Sequence, residues 1–274
     1  FLSNGSDDIL NFAFMAFGAD GAVFPALTYS FYPVFANLHG VAYETVPLRE
    51  DFTLDVTGMQ GKGKLTVFPN PNAPTGIALP LDQVEAIVAA NPDHVVVVDE
   101  AYVDFGAGSA VPLLQKYDNL LVVMTYSKSR SMAGARLGFA LGSRALIQDL
   151  EKLKYSTNPY NVNRLTLKLG QAAVDSDGYF REKAREIMAT REKTAQALRA
   201  MGFTLPDSQA NFLFVAHPKV AGETLYRKCK EKGVLIRHFS DPAIAAYNRV
   251  TIGTPAEMEA FLAVVQTILK EEGA

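Results

Sequence analysis

A solvated lysine needs no particular company, yet Lys128 has a good deal of it. In Met124–Phe139, MTYSKSRSMAGARLGF, it follows an apolar run, with Thr125, Ser127 and Ser129 beside it and Arg136 eight positions on. The run VVVVDEAY ends in Asp99, Glu100 and Tyr102. SNGSDD sets Gly5, Ser6 and Asp7 in a turn before a helical pattern, and PNPNAPTG sets Asn70 and Asn72 in a rigid turn after KLTVF. Pyridoxal phosphate requires such a set: a lysine to hold it as a Schiff base, an acid at its pyridine nitrogen, and a cradle for a dianionic phosphate. Lys128 can supply the first and Asp99 the second. Ser6 and the amides of Gly5 and Asp7 at a helix start, with Thr125 or Ser127 and Arg136, can supply the third. Alone, each has an ordinary reading: Arg136 in a structural ion pair, Asp99 as a strand-end cap, Ser6 as an N-cap. Their joint placement at successive strand ends is what favours one cofactor.

These residues need elements to position them. VAYETVPL, KLTVF, HVVVVDEA and NLLVVMTY read as strands, and LDQVEAIVAA and SRALIQDLEKLK as helices. Val95–Val98 is apolar without alternation, as in a strand buried on both faces. Alternation of strand and helix predicts an α/β fold with a mostly parallel central sheet flanked by helices, in which ligands gather at the carboxyl ends of strands. The pattern changes after about Asp175. A long helix is expected from near Gly178, capped by Asp177, followed by strands ANFLFVA, GVLIRHF and NRVTIG with helix GETLYRKCKEK among them. The last helix opens on Thr254, Pro255 and Glu257, a capping box with proline in the first turn. The expected division is a large domain over 1–176 and a smaller C-terminal α+β domain over 177–274.

Composition excludes several classes. Lys and Arg number 26 against 29 Asp and Glu, so no basic excess suits a nucleic-acid backbone. One cysteine, Cys229, rules out an internal disulfide and suits a reducing compartment. No apolar run reaches membrane-spanning length, and the four histidines show no metal-ligand spacing. A cytoplasmic protein with small-molecule substrates, no metal, no nucleic acid and no membrane partner is expected. FLSNGSDD begins as if in mid-strand, so an N-terminal piece is expected to precede it. Gly58–Lys64, GMQGKGK, has the glycine and lysine spacing of a phosphate-binding loop. Leu65 stands where that loop needs Ser or Thr, however, and a strand follows where a helix must.

In order along the chain, SNGSDD, TYSFYPVFA, PNPNAPTG, DEAYVDF, TYSKSRSMAGARLGF, LIRHF and NRVTIGT resemble the fold-type I pyridoxal-phosphate aminotransferases, and within them the histidinol-phosphate aminotransferases. The resemblance implies that Lys128 holds the cofactor and shuttles the proton, that Asp99 pairs with the pyridine nitrogen, and that Tyr102 bonds the 3'-oxygen. It also implies that Tyr29 stacks on the ring, while Ser127 and Arg136 grip the phosphate. Arg249 matches an arginine for a substrate carboxylate, Arg237 one for a substrate phosphate, and Asn211 a residue lining the substrate pocket. An asparagine common in the family is Ala73 here, with Asn72 as the substitute for its contact. The implied reaction exchanges the amine of histidinol phosphate with 2-oxoglutarate, in a homodimer serving histidine biosynthesis. Three rivals stand beside it: an aromatic or other aminotransferase, a decarboxylase of a phosphorylated amino acid, and a cofactor-binding regulatory module. No helix-turn-helix or basic segment supports the last.

Overall fold

The computed structural model describes all residues, 1–274. In chain order its elements are β1 (Leu2–Ser3), α1 (Ser6–Phe17), β2 (Ala22–Pro25), α2 (Tyr32–Leu38), β3 (Tyr43–Val46), β4 (Leu65–Pro69), α3 (Leu81–Ala89), β5 (Val96–Asp99), β6 (Leu120–Thr125) and β7 (Gly138–Gly142). There follow α4 (Arg144–Thr157), α5 (Arg164–Asp175), α6 (Asp177–Ala200), β8 (Phe212–Ala216), α7 (Gly222–Glu231), β9 (Arg237–His238), β10 (Tyr247–Thr251) and α8 (Pro255–Glu271).

Seven strands form the main sheet in the order β1-β7-β6-β5-β4-β2-β3. Strands β3, β2, β4, β5 and β6 run parallel, whereas β7 is antiparallel to β6 and to β1. Alternation sends Val97, Leu121 and Val123 to one face, among residues of α1, α2 and α4. Val96, Val98, Leu120 and Val122 go to the other, under α3 and the 110–114 turn. Both faces are covered, which is why these runs carry no polar alternation. Burial of each such side chain is worth about 1.5–3 kcal/mol.

The sheet arrangement also collects the polar strand ends. Pro69, Asp99 and Thr125 end parallel strands at one edge, and Thr125 lies opposite Gly138 at the start of antiparallel β7. Arg136, two residues before β7, is thereby delivered to the same edge as Lys128, three residues after β6.

A second sheet, β8-β10-β9, is antiparallel throughout. Its core joins Leu213, Val215 and Val250 to Leu198 of α6, Leu225 of α7 and Phe261 and Val265 of α8. Arg191 of α6 ties it to the main sheet's loops, donating at 2.8 Å to the carbonyls of Phe105 and Ala210. Thr254 and Glu257 form the expected capping box of α8.

Two expectations change. Asp177 is the first helical residue of α6, not its cap; Ser176 precedes it, and Asp177 pairs with Arg130 and Arg181. GVLIRHF contributes only Arg237–His238 to a strand. The leucines of α5 face outward.

Candidate active site

Asp99 ends β5 with only 4% of its surface exposed. The buried Tyr32 hydroxyl donates to its Oδ2 at 2.9 Å, and the Ala101 N–H to Oδ1 at 3.3 Å. Burial pushes the Asp99 carboxyl up to about 6; the Tyr32 and Ala101 bonds pull against that, Asp7 adds to it, and the Lys128 charge opposes it. Alternation sends the next residue, Glu100, the other way. There it accepts from the Ala110 N–H at 2.5 Å and the Ser109 hydroxyl at 2.7 Å. Burial pushes it up to about 7.

Lys128 follows β6 on a turn fixed by Thr125, whose hydroxyl donates to Ser127 Oγ at 3.0 Å and accepts from the Ser127 N–H at 3.1 Å. Its ammonium lies 5.5 Å from the centroid of the Tyr102 ring. Tyr102 in turn packs edge-on against Phe212, with centroids 5.0 Å apart.

The phosphate end depends on two glycines. Gly5 has φ of 85°, and a Cβ there would stand 2.4 Å from Arg136 Nη2. At Gly138 a Cβ would stand 2.5 Å from the Ser6 nitrogen, so β7 can approach the start of α1 only without a side chain. No side chain caps α1, which leaves the first-turn amides of Ser6 and Asp7 for a ligand. Ser6 is thus not an N-cap. Arg136 is itself left-handed, with φ of 54°, and its Nη2 lies 3.1 Å from Asp7 Oδ2. Tyr29 donates to Asp7 Oδ1 at 2.8 Å. A helix start without a cap, an arginine folded over a glycine and two hydroxyls make a cradle that fits a dianion.

Of the predicted cofactor residues, all but Gly5 and Asn72 line one cleft of about 620 Å³. Gly5 lies against Arg136, where a Cβ would meet the guanidinium. Asn72 is a correction: its amide holds the turn, donating to the Leu27 carbonyl at 3.2 Å and Thr75 Oγ1 at 3.1 Å. Ala73 faces the cleft in its place.

A second cleft meets the first at Tyr29 and Ala73, and it holds Arg237 and Arg249. The two stand directly opposite on β9 and β10. The Arg249 guanidinium lies 5.1 Å over Phe212, with its Nε buried and unpartnered, and Arg237 lies 5.7 Å over Phe239. Like charges opposite each other repel, and no carboxylate bridges either arginine, so the cleft suits an anion. Asn211 does not join them. It lines neither cleft, and its carbonyl accepts from the Ile252 N–H at 2.9 Å.

Sequence reasoning missed Tyr32. It lies three residues after Tyr29 in TYSFYP, and only that helical spacing hinted that both could reach one site. No three His, Cys, Asp or Glu side chains are grouped to hold a metal, and no helix is long and apolar enough to cross a membrane.

Residues 1–265 match the family profile described as aminotransferase class I and II. A histidinol-phosphate aminotransferase of Brachyspira hyodysenteriae is 47% identical, covering 98% of this chain and 77% of that protein. Histidinol-phosphate aminotransferase 1 of Bordetella parapertussis is 49% identical over the same shares. Among solved structures, histidinol-phosphate aminotransferase from Sinorhizobium meliloti, in complex with pyridoxal-5'-phosphate, superposes with a TM-score of 0.86 at 22% identity, over 98% of this chain and 76% of that one. L-threonine-O-3-phosphate decarboxylase from Porphyromonas gingivalis has a TM-score of 0.83 at 20% identity, over 98% and 83%. The last two establish the fold alone, which transaminase and decarboxylase share. Sequence identity makes the finer assignment: the chain belongs to the class I and II aminotransferases, in the histidinol-phosphate aminotransferase family.

Proposed function

We propose that this chain transfers the amino group of histidinol phosphate to 2-oxoglutarate, using pyridoxal phosphate, as a step of histidine biosynthesis. The observation that carries the reading is the junction of the two clefts. One holds a lysine, a buried acid and an anion cradle; the other holds two unpaired arginines. Histidinol-phosphate aminotransferases 47% and 49% identical to this chain support the same substrate.

When bound, the cofactor supplies the electron sink that makes the substrate's α-proton acidic. Ser6, the first-turn amides of α1, Thr125, Ser127 and Arg136 would bind its phosphate. Asp99 would face its ring nitrogen, held there by Tyr32 and the Ala101 N–H. Tyr29 would lie against the ring, and Tyr102 would meet its phenolic oxygen. The Lys128 amine would attach the cofactor and, once displaced, carry the proton from the substrate α-carbon. Arg249 and Arg237 would bind the carboxylates of glutamate and, in the other half-reaction, the phosphate of histidinol phosphate.

The division at 176/177 remains our proposal for the domains, supported by the separate core of the second sheet. We place the protein in the cytoplasm, as suits its single buried thiol and biosynthetic role. A homodimer is supported by Tyr160, Leu165 and Leu169, exposed at 89, 77 and 54% on and before α5. Turnover decides the substrate: histidinol phosphate should outpace phenylalanine by at least about a hundredfold, without release of carbon dioxide. Equal turnover of phenylalanine would favour a broader aminotransferase, and carbon dioxide a decarboxylase.

A further inference from the structure

The Asp7 carboxylate has no part in the reading above, which uses only its amide. Yet its two oxygens divide between two side chains from distant parts of the chain. Oδ1 accepts from the Tyr29 hydroxyl at 2.8 Å, and Oδ2 meets Arg136 Nη2 at 3.1 Å. Tyr29 comes from the segment before α2, and Arg136 from the segment before β7. Asp7 sits in the first turn of α1, where a carboxylate is favoured by the helix N-terminus, and it is about half exposed on the side toward the cleft.

We infer that Asp7 is a positioning residue, which sets the Tyr29 ring and the Arg136 guanidinium together so that both grip the cofactor. The proposal rests on the pyridoxal-phosphate reading of this cleft. The geometry makes the coupling specific. Tyr29 has a single polar tip, so a bond at that tip fixes where its ring lies. Arg136 offers five donors in a fixed fork. Asp7 engages Nη2, and a Cβ at Gly5 would stand 2.4 Å from that same nitrogen, so this end of the fork reaches over the start of α1. Apart from one long bond from Nη1 to the Ala133 carbonyl at 3.5 Å, its other donors have no protein partner and are left for a phosphate at the first-turn amides. A lysine in place of Arg136 could not serve Asp7 and a phosphate with one planar group. Burial does most to raise the pKa of Asp99 and of Tyr29, and the Asp7 charge adds to both in the same direction.

The competing view is that Asp7 merely occupies Arg136 until a phosphate displaces it. The two views predict opposite signs. If Asp7 positions, its removal weakens cofactor binding; if it competes, its removal tightens binding.

The test is a pyridoxal-phosphate titration of the full chain, followed by absorbance and by circular dichroism of the bound cofactor. It compares wild type with Asp7→Ala, Asp7→Asn, Tyr29→Phe, Arg136→Lys and the pairwise combinations with Asp7→Ala. We expect Asp7→Ala to weaken binding roughly tenfold, and Asp7→Asn, which keeps an acceptor for Tyr29 but no charge for Arg136, to fall between it and wild type. The loss should shrink in the Tyr29→Phe and Arg136→Lys backgrounds, because the contacts are already broken there. The dichroism of the bound cofactor should change in Asp7→Ala, as the ring loses its fixed neighbour. Binding by Asp7→Ala equal to or tighter than wild type would overturn the inference, as would losses that simply add. Should Asp7→Ala fail to fold, Asp7→Asn in the same two backgrounds carries the comparison. If wild type itself binds no pyridoxal phosphate, the cofactor reading falls, and this inference with it.

Discussion

The two clefts that meet at Tyr29 and Ala73 are built on opposite terms. Around the first, polar groups are tied to one another: Tyr32 to Asp99, Thr125 to Ser127, and Tyr29 and Arg136 to Asp7. It stands at the ends of parallel strands buried on both faces, so its side chains inherit the rigidity of the main core. In the second, Arg237 and Arg249 face each other on short antiparallel strands without an acidic partner. The first is organised before any ligand arrives; the second leaves its charges for the ligand to complete. A cofactor that stays and substrates that alternate would need that division.

Substitutions can break this comparison. Lys128→Ala removes the only amine of the first cleft and should lower transamination by at least about a thousandfold, as measured by glutamate formation. Arg249→Ala should act on the second cleft alone. It should raise the KM for glutamate roughly tenfold to a hundredfold in the reverse reaction while cofactor affinity stays as in wild type. A matching loss of cofactor affinity would mean that the clefts are not separate.

The pH dependence sharpens the same contrast. Asp99 has a folded pKa of about 6, and a cationic ring nitrogen favours its ionised form. Cofactor affinity should therefore hold above pH 6 and weaken by up to about tenfold per unit below it, read by titration at each pH. Tyr32→Phe removes a bond that lowers the Asp99 pKa. It should shift that break upward and cost several-fold in affinity at pH 7, up to about tenfold.

Glu100, on the opposite face of the same strand end, gives the smallest effect. Its folded pKa is raised to about 7 from the ordinary 4.5. Its contribution to stability is therefore full below pH 4.5 and is lost as pH rises through 7. Glu100→Gln keeps an acceptor for Ala110 and Ser109 and removes that loss. Its Tm at pH 8 should exceed wild type by on the order of 3 °C, with little gain at pH 5. Turnover should be unchanged, because Glu100 faces away from the clefts.

The strand ends were legible because burial leaves a signature. Val95–Val98 without alternation marks a strand covered on both faces, and whatever follows such a run stands at the sheet's edge. That logic alone placed Asp99 and Lys128 together. It could not place side chains whose direction depends on a turn. Asn72 and Ala73 are neighbours, and the sequence does not say which one faces the cleft. Asn211 stands just before β8 instead of inside it, and its side chain lines neither cleft. Tyr32 looks like any core aromatic until Asp99 is found beside its hydroxyl. The long-range contacts of Asp7, 22 and 129 residues along the chain, leave no local trace. The resemblance to the family singled out Arg237 and Arg249, and periodicity alone would have left Arg237 as a solvated edge charge.

The central claim is that Lys128 holds the cofactor in a site made for histidinol phosphate. The direct measurement is the absorbance spectrum of the chain with pyridoxal phosphate, for wild type and Lys128→Ala, before and after histidinol phosphate is added. Wild type should show a long-wavelength band that is absent from the variant and bleached by histidinol phosphate. An identical band in Lys128→Ala, or no band in either protein, would contradict it.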